Sequence, residues 1–126
     1  QKNAMQLAQF LQQHDKVSKV NYLGLENHED HIIAKDQMQG FAGMLSFELR
    51  DGLEAGMNFM RNIQFCTLTA SLGTADTLVT HPASTSHVNV NKEQRLQNGI
   101  TDGLIRISVG LENIEDIIED FENALK

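Results

Sequence analysis

The apolar residues of this chain switch repeatedly between a helical spacing and a strict two-residue spacing, and that switching leaves few folds open. Ala4, Leu7, Ala8 and Leu11 fall at i, i+3, i+4 and i+7, which predicts an amphipathic helix over residues 2–14. Val17 to Tyr22 is short and rich in strand formers, as an edge strand would be. Residues 28–38 carry a weaker helical pattern that runs into Gly40. From Gly43 to Leu49 the alternation is clean: Leu45, Phe47 and Leu49 point one way, Met44, Ser46 and Glu48 the other. Asp51 followed by Glu54 resembles a capping box that opens a helix over residues 52–63, and Phe65 to Ala70 reads as the next strand. Asn91 with Gln94 starts a short helix that stops at Asn98-Gly99. Leu104 to Val109 is a strand, and Leu111, Ile114, Ile117, Ile118, Phe121 and Leu125 form the apolar stripe of a last helix.

Helical and extended segments therefore alternate along the whole chain. That order predicts an α/β layer domain: a small, mostly antiparallel sheet of about four strands with helices packed on one face. The 126 residues fit one domain, and no repeat, low-complexity tract or interior linker divides them. With no tryptophan and only 6% aromatic residues, the core must rest on Leu, Ile, Val, Met and Phe. Between Gly73 and Val90 lies a stretch rich in Thr, Ser and His that holds the only proline, Pro82. It reads as a loop, and a loop that long in a compact domain is usually functional or misassigned.

Charge and cysteine content narrow the function. Residues 111–126 hold six acids (Glu112, Glu115, Asp116, Glu119, Asp120, Glu122) and one lysine, so they carry −5 of the chain's −7. The excess reads as one solvated helix face. No basic stripe is present for a phosphate backbone, so nucleic acid is not an expected partner. Cys66 is the only cysteine, which precludes an intrachain disulfide and suits a reducing compartment such as the cytoplasm. Its apolar neighbours suggest a buried small hydrophobe and not a nucleophile. No stretch approaches membrane-spanning length, and no signal-peptide layout appears, so no membrane partner is expected. The chain opens at Gln1 inside a predicted helix, as a piece of something longer would.

Few residues suggest chemistry. Arg106 falls mid-strand, with Leu104 and Ser108 on its face and Ile105, Ile107 and Val109 on the other. If the Ile/Val face meets the helices, Arg106 projects from the opposite one, where its planar fork of donors can hold a carboxylate bidentately. Pattern alone favours a plainer reading, a solvated arginine on an open sheet face. Ser71-Leu72-Gly73 ends a strand and offers a hydroxyl and backbone N–H groups, although strand-end serines are also ordinary turn formers. His28 and His31, or His81 and His87, could suggest a metal, but no third ligand is placed by spacing, and no metal site is expected.

Several segments, taken in order, closely resemble one family. They are Ser71-Leu72-Gly73, then Thr80-His81-Pro82-Ala83-Ser84-Thr85-Ser86-His87, then Gly99 to Glu112 with Arg106 at its centre; Gln39 to Glu48 and Asn3-Ala4-Met5 fit as well. The series resembles the C-terminal end of the Cys/Met-metabolism enzymes that depend on pyridoxal phosphate (PLP). That family includes methionine γ-lyases, cystathionine γ-synthases, cystathionine lyases and O-acetylhomoserine sulfhydrylases. The resemblance implies the fold type I architecture, with residues 1–126 as the smaller C-terminal domain. It implies that Arg106 binds the substrate α-carboxylate and that Ser71 lies beside the cofactor-bearing lysine and the substrate. Ser86 would keep a hydroxyl at a position lining the site, while Thr85 stands where the family usually has Met. His81 and His87 become loop-structure residues in this setting.

The resemblance also implies a sulfur-containing or O-acylated amino-acid substrate and a homotetrameric parent built as a dimer of dimers. None of Lys2, Lys16, Lys19, Lys35, Lys92 and Lys126 sits in the family's Ser-x-Thr-Lys context. PLP is therefore expected to be held outside these residues, and the chain alone is expected to be inactive. Gln39 to Glu48, with Ala70 before Ser71, look most like methionine γ-lyases. The alternatives are O-acetylhomoserine sulfhydrylase or cystathionine γ-synthase chemistry and, from a different class, a non-catalytic module that binds an amino acid.

Overall fold

The two cleanly alternating segments form the centre of the sheet. The computed structural model describes all 126 residues. In chain order its elements are α1 (Lys2–Gln12), β1 (Val17–Asn21), α2 (His31–Gln37), β2 (Met44–Leu49), α3 (Gly52–Asn62), β3 (Thr67–Leu68), β4 (Leu78–Thr80), α4 (Lys92–Gln97), β5 (Leu104–Ser108) and α5 (Ile114–Ala124), with a 3₁₀ turn at Pro82–Ser84. The strands lie in the order β1-β2-β5-β4-β3. All neighbours are antiparallel except β3 and β4. No helix is long and apolar enough to cross a membrane.

Register fixes which side chains share a face. Leu45 pairs with Ile107 and Phe47 with Ile105, while Val79 of β4 also meets Ile107. All five are buried, and they face α1, α3 and α5. The apolar stripe of α1 (Ala4, Leu7, Ala8, Leu11) is fully buried, as are Phe59 of α3 and Ile117 and Phe121 of α5. Helices thus cover one face of the sheet. The opposite face carries Ser46, Arg106 and Thr80 in one row, since Arg106 pairs with Ser46 on one side and Thr80 on the other.

Four expectations are corrected. The sheet has five strands, not about four, because the stretch read as a loop between Gly73 and Val90 contains β4 and the 3₁₀ turn. All three residues of β4 are buried, so no in–out alternation marks it as a strand. The strand expected over Phe65 to Ala70 shrinks to Thr67–Leu68, both exposed, and Phe65 is itself half exposed. Asp51 precedes α3 without a side-chain capping bond, so the capping-box resemblance is not realised.

The C-terminal acids, finally, are not all solvated. Asp120 is buried in α5, and its two carboxylate oxygens accept from the backbone N–H groups of Gln64 and Cys66, both at 2.9 Å. It thereby ties the chain leaving α3 to the last helix. Glu112 accepts from the Thr77 N–H at 2.7 Å and the Thr77 hydroxyl at 2.8 Å. Asn3 of α1 closes the same seam by donating to the Gly110 carbonyl at 3.2 Å and the Glu112 carbonyl at 2.7 Å.

Candidate functional site

Arg106 occupies the middle of β5 on the face away from the helices, where its period-2 position placed it. Its Nη2 donates to two backbone carbonyls of the loop after β3: Ala70 at 2.6 Å and Ser71 at 2.8 Å. No carboxylate lies within ion-pair distance of it. The chain's only two ion pairs both end on Asp102, from Lys92 at 2.7 Å and Arg95 at 3.0 Å. Arg106 is therefore a half-buried cation without a counter-ion, and its Nε is buried without any partner. A cation partly removed from water is stabilised by an anion brought to it, so the arrangement favours an anionic ligand.

The donor count refines the expected grip. Nη2 belongs to both forks of a guanidinium, end-on with Nη1 and side-on with Nε. A bidentate carboxylate must draw on Nη2, which now donates to the two loop carbonyls. A single contact through Nη1 displaces neither.

The loop over Arg106 is held by hydroxyls of the same sheet face. The Gly73 N–H donates to Ser108 Oγ at 2.8 Å, and Thr80 Oγ1 donates to the Thr69 carbonyl. Gly73 has φ of +80°, a left-handed conformation that suits glycine. Ser71 is exposed, and the atom it offers Arg106 is its carbonyl oxygen, not its hydroxyl. Leu104 and Ser108, which share the face of Arg106, are buried, so this face is covered at the β5 side and is not fully open.

The structure thus brings Arg106 and Ser71 together. No hydrogen bond ties Ser86 to either of them. Ser86 is exposed, with its hydroxyl 2.8 Å from Nδ1 of the adjacent His87. The segment carrying it is pinned by the His87 N–H to the Pro82 carbonyl at 2.8 Å and by the Thr85 hydroxyl to the His81 carbonyl at 2.8 Å. His81 is fully buried, and both ring nitrogens are engaged: Nε2 with the Asp102 carbonyl at 2.6 Å and Nδ1 with Ser84 Oγ at 2.8 Å. That is the loop-building part expected of it. Its ring packs directly on Gly56 of α3, where a Cβ would collide with it.

His28 and His31 also serve local structure. His28 Nδ1 accepts from the Asp30 N–H at 3.1 Å, while His31 lies 2.7 Å from the Leu23 carbonyl and stacks on Phe41. No group of three or more His, Cys, Asp or Glu side chains is placed to hold a metal ion. Cys66 is buried, and desolvation, reinforced by the Asp120 carboxylate, pushes its thiol well above the usual range. A thiol held protonated is a poor nucleophile.

Ser108 and Thr80 are the residues of this cluster that sequence reasoning did not single out. The spacing from Arg106 places Ser108 on its face. For Thr80 no such signal exists, since β4 itself carried none. The cofactor implied by the family resemblance does not fit these residues. All six lysines are exposed, and none hydrogen-bonds to the Arg106–Ser71 cluster. What is present fits an anionic group brought to Arg106.

Comparison with known proteins agrees along the whole length. Residues 1–126 match the family model described as Cys/Met metabolism PLP-dependent enzyme. The L-methionine gamma-lyase of Fusobacterium nucleatum subsp. nucleatum is 53% identical over 125 residues, which cover 99% of this chain and 32% of that protein. The cystathionine beta-lyase of Lactococcus lactis subsp. cremoris is 49% identical over 124 residues, 98% of this chain and 32% of the relative. The crystal structure of cystathionine gamma synthase from Xanthomonas oryzae pv. oryzae in complex with cystathionine superposes with a TM-score of 0.91 at 40% identity, covering 99% of this chain and 32% of that one. The chain therefore spans about a third of the length of the relatives it matches. A family match over every residue, carried on a shared fold, means that the chain belongs to the Cys/Met-metabolism PLP-dependent enzymes.

Proposed function

We propose that residues 1–126 are the small C-terminal domain of a PLP-dependent enzyme of sulfur amino-acid metabolism, and that Arg106 receives the substrate's α-carboxylate. The observation that carries this reading is the half-buried guanidinium that has no counter-ion and whose Nη2 is aimed by two loop carbonyls. Ser71 sits at the same place through its backbone, and Ser86 would approach the substrate from the 3₁₀-turn side. PLP, held by residues outside this chain, supplies the electron sink that such chemistry needs. The part played by these residues is positional: a carboxylate fixed by arginine limits rotation of the substrate, so that the breaking bond can be aligned.

Elimination at the γ-carbon of methionine is the preferred reaction, because methionine γ-lyases stand among the relatives at 52% and 53% identity. A cystathionine gamma synthase shares the fold at 40% identity, so γ-replacement, as in O-acetylhomoserine sulfhydrylase or cystathionine γ-synthase, is the alternative. A homotetrameric, cytoplasmic parent belongs to the same reading.

The test is made on the full-length enzyme. Arg106→Ala should keep the PLP absorption band and weaken amino-acid binding about a hundredfold, roughly 3 kcal/mol for a lost charge-assisted pair. Products formed from methionine, set against those from O-acetylhomoserine plus sulfide, decide between elimination and replacement. The 126-residue chain alone should show no PLP imine band. Tight methionine binding by that isolated chain would favour the amino-acid-binding module instead.

A further inference from the structure

Residues 70–76 are all exposed, yet two of their carbonyls hold the one guanidinium on which the site depends. Very little backbone bonding keeps the start of this loop in place. The Thr69 N–H joins the Val79 carbonyl at 3.1 Å, and the Ser71 N–H reaches only its neighbour Thr69 Oγ1, at a weak 3.4 Å. The other fasteners are side chains of the sheet face beneath. Thr80, the cross-strand partner of Arg106, donates to the Thr69 carbonyl. Ser108, two residues beyond Arg106 on the same strand face, accepts from the Gly73 N–H at 2.8 Å. One hydroxyl therefore holds each end of the 69–73 segment, and Arg106 holds its middle.

We infer that Thr80 and Ser108 are positioning residues for carboxylate recognition: they fix the loop whose carbonyls aim the Arg106 guanidinium. The inference deepens the reading of Arg106 as the carboxylate-binding residue and rests on it. A bidentate carboxylate draws on Nη2, so at that moment Arg106 gives up one of its two bonds to the loop. The two hydroxyls are what keep the remaining carbonyl, and hence the guanidinium plane, in place. Without them an exposed segment drifts, and the arginine must be ordered at the expense of ligand affinity.

The test compares glycine with glycinamide as ligands of the full-length PLP enzyme, followed by the shift of the cofactor's absorption band. Glycine has no γ-substituent to expel, so binding is read without turnover, and glycinamide keeps the amine but lacks the carboxylate charge. Ser108→Ala and Thr80→Val should each weaken glycine about three- to tenfold, the size of one hydrogen bond, and leave glycinamide unmoved. Ser108→Thr, which keeps the hydroxyl, should restore the native ratio. Equal weakening of both ligands, or no change in either variant, overturns the inference; an effect in only one variant overturns it for the other residue. If Ser108→Ala yields no folded protein, Thr80→Val, which keeps the side-chain shape, decides alone. An unchanged glycine-to-glycinamide ratio in Arg106→Ala would instead sink the carboxylate reading itself.

Discussion

The two faces of the sheet are built on different forces. On the helix side, Phe47 meets Phe59 and Phe121 at ring-centroid distances of 5.5 and 6.3 Å, with Leu45, Val79, Ile105 and Ile107 around them. That contact is apolar, non-directional and proportional to buried area. On the other side, Arg106, Thr80 and Ser108 hold a loop by single hydrogen bonds with defined partners. Each such bond adds little net stability, since water would satisfy the same groups in the unfolded chain. The difference teaches that apolar burial and directional hydrogen bonding are stored on opposite faces of one five-stranded sheet. Because β5 belongs to both, Ile105 and Ile107 serve the core while Arg106 between them holds the loop and has the proposed ligand role.

The largest effect should come from the helix side. Phe47→Ala removes a fully buried ring at the centre of the aromatic cluster and should cost about 3–5 kcal/mol, read as a fall in the urea midpoint of the folded enzyme. Arg106→Ala should leave that midpoint nearly in place. A small loss in Phe47→Ala, or a large one in Arg106→Ala, would break the separation of the faces.

Asp120 asks whether the division runs by face or by force. It lies on α5, on the helix side, yet works by directional bonds to the Gln64 and Cys66 N–H groups. Asp120→Asn keeps one acceptor and turns a donor toward the other N–H. Leaving that buried group unpaired should cost about 1–3 kcal/mol in the same urea experiment. A value near zero would mean that water reaches the seam and that the helix side is secured by apolar burial alone.

Legibility in the sequence follows the same division. β2, α1 and α5 are burial patterns written directly in residue type, because one side of each is wetter than the other, while β5 is marked by Ile105 and Ile107 flanking its only charged residue. β4 escaped because Leu78, Val79 and Thr80 are all buried, which erases the period. The face of Arg106 was legible by counting from Ile105 and Ile107. Its partners were not, since the carbonyls of Ala70 and Ser71 are the same in every residue type. Asp120 and Glu112 were hidden in a run of acids whose composition suggests only a wet surface; each is set apart by the backbone N–H groups that tertiary packing brings to it. The roles proposed for Arg106, Ser71 and Ser86 came from the motif series, and spacing alone would have left Arg106 a surface arginine.

The smallest effect belongs to a region held by directional contacts that face water. Asp102, just before β5, is paired with exposed Lys92 and buried Arg95 of α4. Its carboxyl is held below the ordinary range, first by the hydrogen bond from Lys92 and then by that from Arg95, with burial acting the other way. A lowered folded value means that the unfolded chain binds the proton more readily. The pair therefore stabilises the fold above the ordinary carboxylate value of about 3.9, and the contribution is lost as pH falls through the lower folded value. Lys92→Gln removes the exposed half of the pair and leaves Arg95 in place. It should cost about 0.5 kcal/mol at neutral pH and low salt, and nothing measurable once Asp102 is protonated or salt is high. Urea melts of both proteins at pH 7, in low and in high salt, measure the difference. A penalty that persists at high salt would mean that Lys92 acts through packing of its stem and not through charge, and the contrast between apolar and directional contacts would then fail at its most exposed point.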